Sequence, residues 1–270
     1  MAITVRELSS LMDSQWPLSG QEDWDNSGLV TGSLDHAVTS ALLVVDVTHE
    51  TVSEAIDGGH DVLIAHHPLL LRGLMTIAED RYKGDLLARL IRAHCALFAV
   101  HTNGDRVPTG TSAALASALG LTNTQPLVAN ELGGGLGIVG SVTPQTLGDF
   151  ARSIGSVLPS TAGGVRVSGD FARSISTVSV CAGAGDSMLG NPLVRGSDVF
   201  VTSDLRHHPA SEFREQARLD NDTALIDISH WAAEWLWLDQ AATELRQLAP
   251  GLDVTVSHLN TDPWTFSVVQ

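Results

Sequence analysis

Short apolar runs and amphipathic stretches alternate along the chain, and this alternation predicts an α/β fold. The runs typical of buried strands are ALLVVDV (41–47), DVLIAH (61–66), ALFAVH (96–101), STVSVCA (176–182), DVFVTS (198–203) and TALIDIS (223–229). Helical periodicity occurs near residues 4–13, 49–58, 82–94, 110–119, 144–155, 207–218 and 230–247. The stretch 121–145 is rich in Gly, Asn and Thr, and we expect a loop and hairpin there.

The order of these predicted elements repeats. Each half of the chain places a His-His-Pro sequence after its second strand and a histidine after its third strand. These residues are His66-His67-Pro68 and His101 in the first half, and His207-His208-Pro209 and His230 in the second. The spacing His-x-x-x-acid also recurs, as His101 with Asp105 and as His230 with Glu234. The pattern predicts an internal duplication.

The predicted architecture is therefore two similar α/β lobes with a metal site in the cleft between them. We place the N-terminal lobe at residues 1–125 and the C-terminal lobe at residues 126–270. The last helix, predicted at 230–247, would carry its metal ligands back to the shared cleft.

Composition and charge narrow the class of protein. With 43% hydrophobic and 17% charged residues, the 270-residue chain is typical of a folded globular protein. No apolar run is long enough to cross a bilayer, and the N-terminus lacks the features of a signal peptide, so we expect a cytoplasmic protein without membrane contact. A net charge of −16 disfavours binding to the nucleic-acid backbone.

The candidate chemistry lies where the strands end. In α/β sheets, ligands bind at the carboxyl ends of the strands. Imidazole and carboxylate side chains at these ends suit Zn, Fe, Mn, Ni or Co. Because two adjacent histidines on a regular strand point to opposite faces, two divalent ions per chain fit better than one. The predicted metal ligands are His66, His67, Asp105, His230 and Glu234.

Other histidines leave more than one interpretation open. His101 could be a ligand, a hydrogen-bond partner of a ligand, a general base or a structural residue, and it is our candidate catalytic residue. His207 and His208 have no acidic residue at ligand spacing. They could line the cleft or begin a surface helix.

Several motifs resemble those of the Nif-three-like proteins, a family also labelled GTP cyclohydrolase I type 2. They are WDNSGL (24–29), DVLIAHHPLLL (61–71), AVHTNGD (99–105), AGAGDS (182–187), DVFVTSDLRHH (198–208) and the C-terminal His-x-x-x-Glu. They follow the family's order over nearly the whole chain. At 270 residues the chain has no room for the domain that many relatives insert between the halves, so it resembles the short form.

The resemblance implies a two-lobed α/β fold, a di-metal centre and a toroidal homohexamer. It assigns metal-ligand roles to the five residues named above and leaves His101 close to them. It also implies that Asp25, Asn26 and Ser27 lie near the cleft.

The family label implies opening of the guanine imidazole ring of GTP by metal-activated water, with release of formate. Such water is a suitable nucleophile, and a histidine such as His101 can shuttle the protons. The same donor set also suits a metal-dependent phosphoesterase. A third interpretation is a metal-binding adaptor or regulatory ring protein without catalysis. The expected partners are further copies of the chain and a small nucleotide-like substrate.

Overall fold

A computed structural model of the chain describes residues 2–268, which divide into two compact units. The first unit contains the residues up to Val107 together with Leu238–Thr261. The second contains Pro108–Trp237 together with the residues from Asp262 onward. The longest helix, His230–Leu248, contributes residues to both units.

The first unit is built on a mainly parallel sheet. Its helices and strands are β1 (Ile3–Thr4), α1 (Val5–Gln15), β2 (Gly28–Thr31), β3 (Ala37–Val38), β4 (Ser40–Val44), α2 (His49–Asp57), β5 (Val62–Ala65), α3 (Tyr82–Arg92), β6 (Ala96–Ala99), α4 (Thr102–Asp105) and β13 (Asp253–Val256). The strand order is β13-β4-β5-β6-β2, in which only β2 is antiparallel to its neighbour. Strands β1 and β3 form a separate antiparallel pair.

The apolar character of the central strands explains this arrangement. All residues of β5 and β6 are buried, as expected for parallel strands that are covered on both faces. Leu42, Leu63 and Leu97 of the sheet pack in one core cluster with Val52 of α2 and Leu90 of α3. This core fixes the carboxyl ends of β5 and β6 side by side, where the candidate ligands follow.

The second unit contains a mixed sheet. Its helices and strands are α5 (Thr111–Ala118), β7 (Thr122–Ala129), β8 (Gly135–Thr146), α6 (Leu147–Val157), β9 (Arg166–Ser168), β10 (Ser174–Ala184), α7 (Pro192–Arg195), β11 (Val199–Ser203), α8 (His207–Ala217), β12 (Ala224–Ile228) and the first turns of α9 (His230–Leu248). The order is β7-β8-β10-β11-β12-β9, with β10, β11 and β12 parallel. The hairpin predicted within 121–145 is confirmed as β7 and β8.

Both units contain the sequence strand–helix–strand–helix–strand with parallel strands, as β4-α2-β5-α3-β6 and β10-α7-β11-α8-β12. An aspartate precedes the second of these strands in each unit. Asp61 accepts a hydrogen bond from the backbone N–H of Thr39 at 2.7 Å, and Asp198 accepts one from that of Ser176 at 2.8 Å. The shared contact supports the predicted duplication.

The division of the chain differs from the boundary expected at residues 125 and 126. Residues 108–125 belong to the second unit because α5 packs against β8 and β10. Residues 238–261 belong to the first unit because β13 pairs with β4. Strands β2, β9 and β13 were not expected from the sequence, since none of them is a continuous apolar run. Within residues 2–268, no helix is long and apolar enough to span a membrane.

Candidate metal centre

His66 and His67 follow β5 where regular strand geometry ends. The N–H of His66 donates to the carbonyl of Val44 at 2.9 Å, and the N–H of His67 donates to that of Val45 at 2.8 Å. In a regular strand, successive residues point to opposite sides, and only every second backbone N–H bonds to a given neighbouring strand. Two successive N–H bonds to the segment Val44–Val45 therefore mark the end of regular strand geometry. The two ring centroids consequently lie only 5.1 Å apart.

His101 and Asp105 complete this group in the first unit. His101 precedes α4, and its ring centroid lies 5.3 Å from that of His66 and 5.6 Å from that of His67. One ring nitrogen from each of the three histidines lies within 4.8 Å of the others. Asp105, at the end of α4, places Oδ1 3.7 Å from Nε2 of His66. The structure thus brings four of the predicted site residues together.

Hydrogen bonds fix the orientation of the two adjacent imidazoles. Nδ1 of His66 lies 2.8 Å from the carbonyl oxygen of Val100, and Nδ1 of His67 lies 2.7 Å from Oδ1 of Asp46. Because carbonyl and carboxylate oxygens only accept, each Nδ1 carries the proton and Nε2 is the nitrogen that could bind a metal ion. Metal-binding histidines are oriented in this way in proteins.

His101 is held by a buried carboxylate. Its Nδ1 donates to Oδ1 of Asp25 at 2.8 Å, and the Asp25 side chain has no exposed surface. Burial by itself raises the pKa of Asp25, but hydrogen bonds from His101 and Thr102 and the charge of His101 outweigh it. The pKa of Asp25 therefore lies well below its ordinary value. Its side chain is an ionised carboxylate next to Nδ1 of His101.

The second unit carries its own pair of donors. His230 begins α9 and Glu234 lies one turn later, so both side chains share one face of the helix. Nε2 of His230 lies 3.0 Å from Oε1 of Glu234, and its Nδ1 lies 2.7 Å from Oδ2 of Asp204. Asp204 adopts the left-handed backbone region, with φ of 57°, which aspartate tolerates better than most residues.

The carboxylates around His230 favour a positive charge at this position. Burial lowers the pKa of His230, whereas the Glu234 and Asp204 carboxylates raise it, and the result is a pKa of about 11. Glu234 is only 4% exposed. The buried Glu234 carboxylate strongly favours a proton on His230. A divalent cation can replace that proton at the same place.

Gly183 allows Glu234 to occupy this position. A Cβ atom on Gly183 would lie 2.5 Å from Oε1 of Glu234 and 3.4 Å from Nε2 of His230. Its φ of 74° also favours glycine. Sequence reasoning did not assign functions to Gly183, Asp46 or Asp204. The AGAGDS motif was the available signal for the glycine, whereas the two aspartates are recognisable only by their contacts.

His207 and His208 do not join either group of donors. Both are exposed at the start of α8, with ring centroids 5.1 Å apart. Of the two interpretations left open by the sequence, the structure supports the surface helix start.

Comparisons with known proteins agree with the motifs. The Duf34/NIF3 (NGG1p interacting factor 3) family matches residues 3–263. A Streptomyces coelicolor protein named GTP cyclohydrolase 1 type 2 homolog is 42% identical over 273 aligned positions, which cover 98% of this chain and 94% of the relative. A Mycobacterium tuberculosis protein with the same name is 30% identical over 374 positions, which cover 98% and 97% of the two chains. Because that alignment exceeds 270 residues, the mycobacterial relative contains residues that this short form lacks.

A solved structure shows the same fold. The crystal structure of a Staphylococcus aureus hypothetical protein matches this chain with a TM-score of 0.89 and 29% identity, covering 99% of this chain and 100% of that one. The family match spans nearly all of the described residues, and the predicted motifs occur in their expected order. The chain therefore belongs to the Duf34/NIF3 family.

Proposed function

We propose that this protein is a divalent-metal-dependent hydrolase of a small nucleotide-like substrate, and that it opens the imidazole ring of GTP with release of formate. The observation that carries the proposal is the group of three imidazoles in the first unit. In each of the three histidines, Nδ1 is hydrogen-bonded to an oxygen atom, which leaves Nε2 as the reactive nitrogen of His66, His67 and His101. The names of the relatives supply the choice of substrate.

The proposed complement is two divalent ions per chain, chosen from Zn, Fe, Mn, Ni and Co. In the first unit His66, His67 and Asp105 would hold metal, and in the second unit His230 and Glu234 would do so. The donor types fit, since neutral imidazole and carboxylate are ordinary ligands of these ions. When bound, such ions polarise an electrophilic centre and lower the pKa of a water molecule.

His101 is the proposed proton-transfer residue. Its side chain is 14% exposed, so a small molecule can reach it, and the bond from Nδ1 to the Asp25 carboxylate holds its ring in place. Hydrolysis of each C–N bond of the imidazole ring requires a proton to leave water and a proton to reach the departing nitrogen. Nε2 of His101 takes the first proton and returns it to the leaving group.

Trp24 supports a substrate with a planar base. Its side chain is 59% exposed, and its ring centroid lies 5.7 Å from that of His101 in an edge-on arrangement. An exposed indole offers a surface for stacking, which contributes about 1–3 kcal/mol per base in nucleic-acid binding proteins. A purine stacked on Trp24 would lie beside the histidine group.

Two other functions use the same donors. A metal-dependent phosphoesterase would release phosphate or a nucleoside monophosphate in place of formate. A metal-binding adaptor or regulatory ring protein would bind the ions without turnover. The product distinguishes these functions.

The deciding experiment begins with metal analysis of protein purified without added metal, followed by incubation of the metal-loaded protein with GTP. We expect formate, and we expect His101→Ala to lower its rate while His208→Ala, at an exposed position, leaves it unchanged. Phosphate without formate would favour the phosphoesterase. If neither GTP nor a phosphoester panel is cleaved with any metal found in the protein, the enzyme hypothesis fails in favour of the binding protein.

We further propose that the chain assembles as a toroidal homohexamer. The resemblance of the motifs to the family is its main support. Exposed apolar side chains on the segment between β5 and α3 are consistent with a subunit contact, since Met75 is fully exposed and Ile77 is 65% exposed.

A further inference from the structure

The Asp25 carboxylate is saturated with hydrogen-bond donors. Oδ1 accepts from Nδ1 of His101 at 2.8 Å and from the backbone N–H of Asn26 at 2.7 Å. Oδ2 accepts from the backbone N–H of Thr102 at 3.0 Å, from the Thr102 hydroxyl at 2.5 Å and from the Ser27 hydroxyl at 3.1 Å. Two of these donors are backbone N–H groups, which cannot become acceptors.

Only a carboxylate satisfies this set of donors. Each oxygen of Asp25 accepts from one backbone N–H. The side-chain amide of an asparagine at this position would therefore point its NH2 group at a backbone N–H in either of its two orientations. The Oδ2 position has three donors and the Oδ1 position has two, which favours keeping an amide oxygen at Oδ2. The NH2 group would then face Nδ1 of His101, and this nitrogen would have to accept.

We propose that Asp25 is a positioning residue that fixes the tautomer of His101, with the proton on Nδ1 and the lone pair of Nε2 directed to the His66 and His67 side. The geometry of the bond alone gives this tautomer, because the carboxylate can only accept. The consequence for catalysis rests on the proposed function, since it requires His101 to accept a proton at Nε2. The assignment of the tautomer itself does not depend on any activity.

Ser27→Ala is the matched control for Asp25→Asn. It removes one hydroxyl donor from the same carboxylate but leaves the bond between Asp25 and His101 and both backbone bonds in place. Ser27 also accepts from the backbone N–H of His101 at 3.3 Å, so the control disturbs the same neighbourhood. A general local perturbation would affect both variants equally.

Neutron crystallography of the full chain exchanged into D2O locates the deuteron on each imidazole nitrogen. At alkaline pH we expect the His101 deuteron on Nδ1 in the wild type and in Ser27→Ala, and on Nε2 in Asp25→Asn. Asp25→Ala is the second variant, and mixed occupancy of the two nitrogens is expected there because nothing enforces either tautomer. A wild-type deuteron on Nε2 would overturn the proposal, as would an unchanged Nδ1 deuteron in a folded Asp25 variant.

Formate release supplies the independent readout. Asp25→Asn should lower kcat by about 10²–10⁴-fold with little change in KM, and the double variant with His101→Ala should be no slower than His101→Ala alone. Additive losses would contradict action through His101. If the wild type releases no formate, the proposed function fails, while the position of the deuteron still decides the role of Asp25.

Discussion

Gly183 and Glu234 approach each other so closely that no side chain fits between them. A Cβ atom at position 183 would lie 2.5 Å from Oε1 of Glu234, which is far inside van der Waals contact. Glu234 is buried beside His230, so its carboxylate has little freedom to move away. The glycine of the AGAGDS motif is thus part of the geometry of the second donor pair.

Gly183→Ala should displace the Glu234 carboxylate and lower the metal content of the protein. Gly120→Ala is the matched control, because Gly120 has nearly the same φ, 72° against 74°, but nothing lies within 4 Å of the place that its Cβ atom would take. Both variants should lose about 1–2 kcal/mol of stability from the left-handed backbone. Elemental analysis should show metal loss only in Gly183→Ala, and equal metal content in the two variants would contradict the steric argument.

Glu234→Gln should lose metal while the fold stays intact. The substitution keeps the shape of the side chain and removes the charge that attracts the cation. Asp239→Asn, at an exposed position on the same helix, controls for loss of an acidic charge. Metal content and circular dichroism are the measurements, and unchanged metal in Glu234→Gln would show that α9 contributes no ligand.

The fully loaded protein should contain about two divalent ions per chain. Their removal with a chelator should lower the temperature of unfolding, because a ligand that binds only the folded state stabilises it. His66→Ala should bind fewer ions and respond less to the chelator than His208→Ala. Saturation at one ion per chain would rule out the two-ion hypothesis.

Asp61 should make stability depend on pH in the acidic range. Burial raises its pKa, but hydrogen bonds from Thr39 and Ser40 outweigh burial, so the folded-state pKa lies below the ordinary value. A group whose pKa is lower in the folded state stabilises the folded protein at pH values above its unfolded-state pKa. This contribution to stability is lost as the pH falls through the folded-state pKa. Asp61→Asn should therefore lose about 1 kcal/mol at pH near 7 and much less under strongly acidic conditions. Urea denaturation at both pH values measures the difference, and a constant difference would contradict this explanation.

The proposed hexamer predicts a molar mass six times the 28.5 kDa of one chain. Light scattering of metal-loaded protein at micromolar concentration measures it directly. A monomer mass under these conditions would refute the assembly. Met75→Ser is expected to weaken it, since this apolar side chain is fully exposed in the single chain.

The sequence predicted the elements whose signal is local. The apolar runs at 61–66, 96–101 and 198–203 appear as β5, β6 and β11, because buried parallel strands require continuous apolar residues. The helices at 49–58 and 230–247 were likewise predicted to within one residue at each end, since their periodicity is regular. The short strands β2 and β13 have no such signal and form only by pairing with β6 and β4.

The sequence by itself determined the fold class, the family and the identity of the candidate metal donors, because these depend on residue type, spacing and order along the chain. Tertiary structure decided which nitrogen of His66, His67 and His101 carries the proton, through Val100, Asp46 and Asp25. It also decided that Gly183 must lack a side chain, because Glu234 lies against it. Asp25 and His101 are 76 residues apart in sequence, and a contact over that separation arises only when the packed sheet brings its strand ends together.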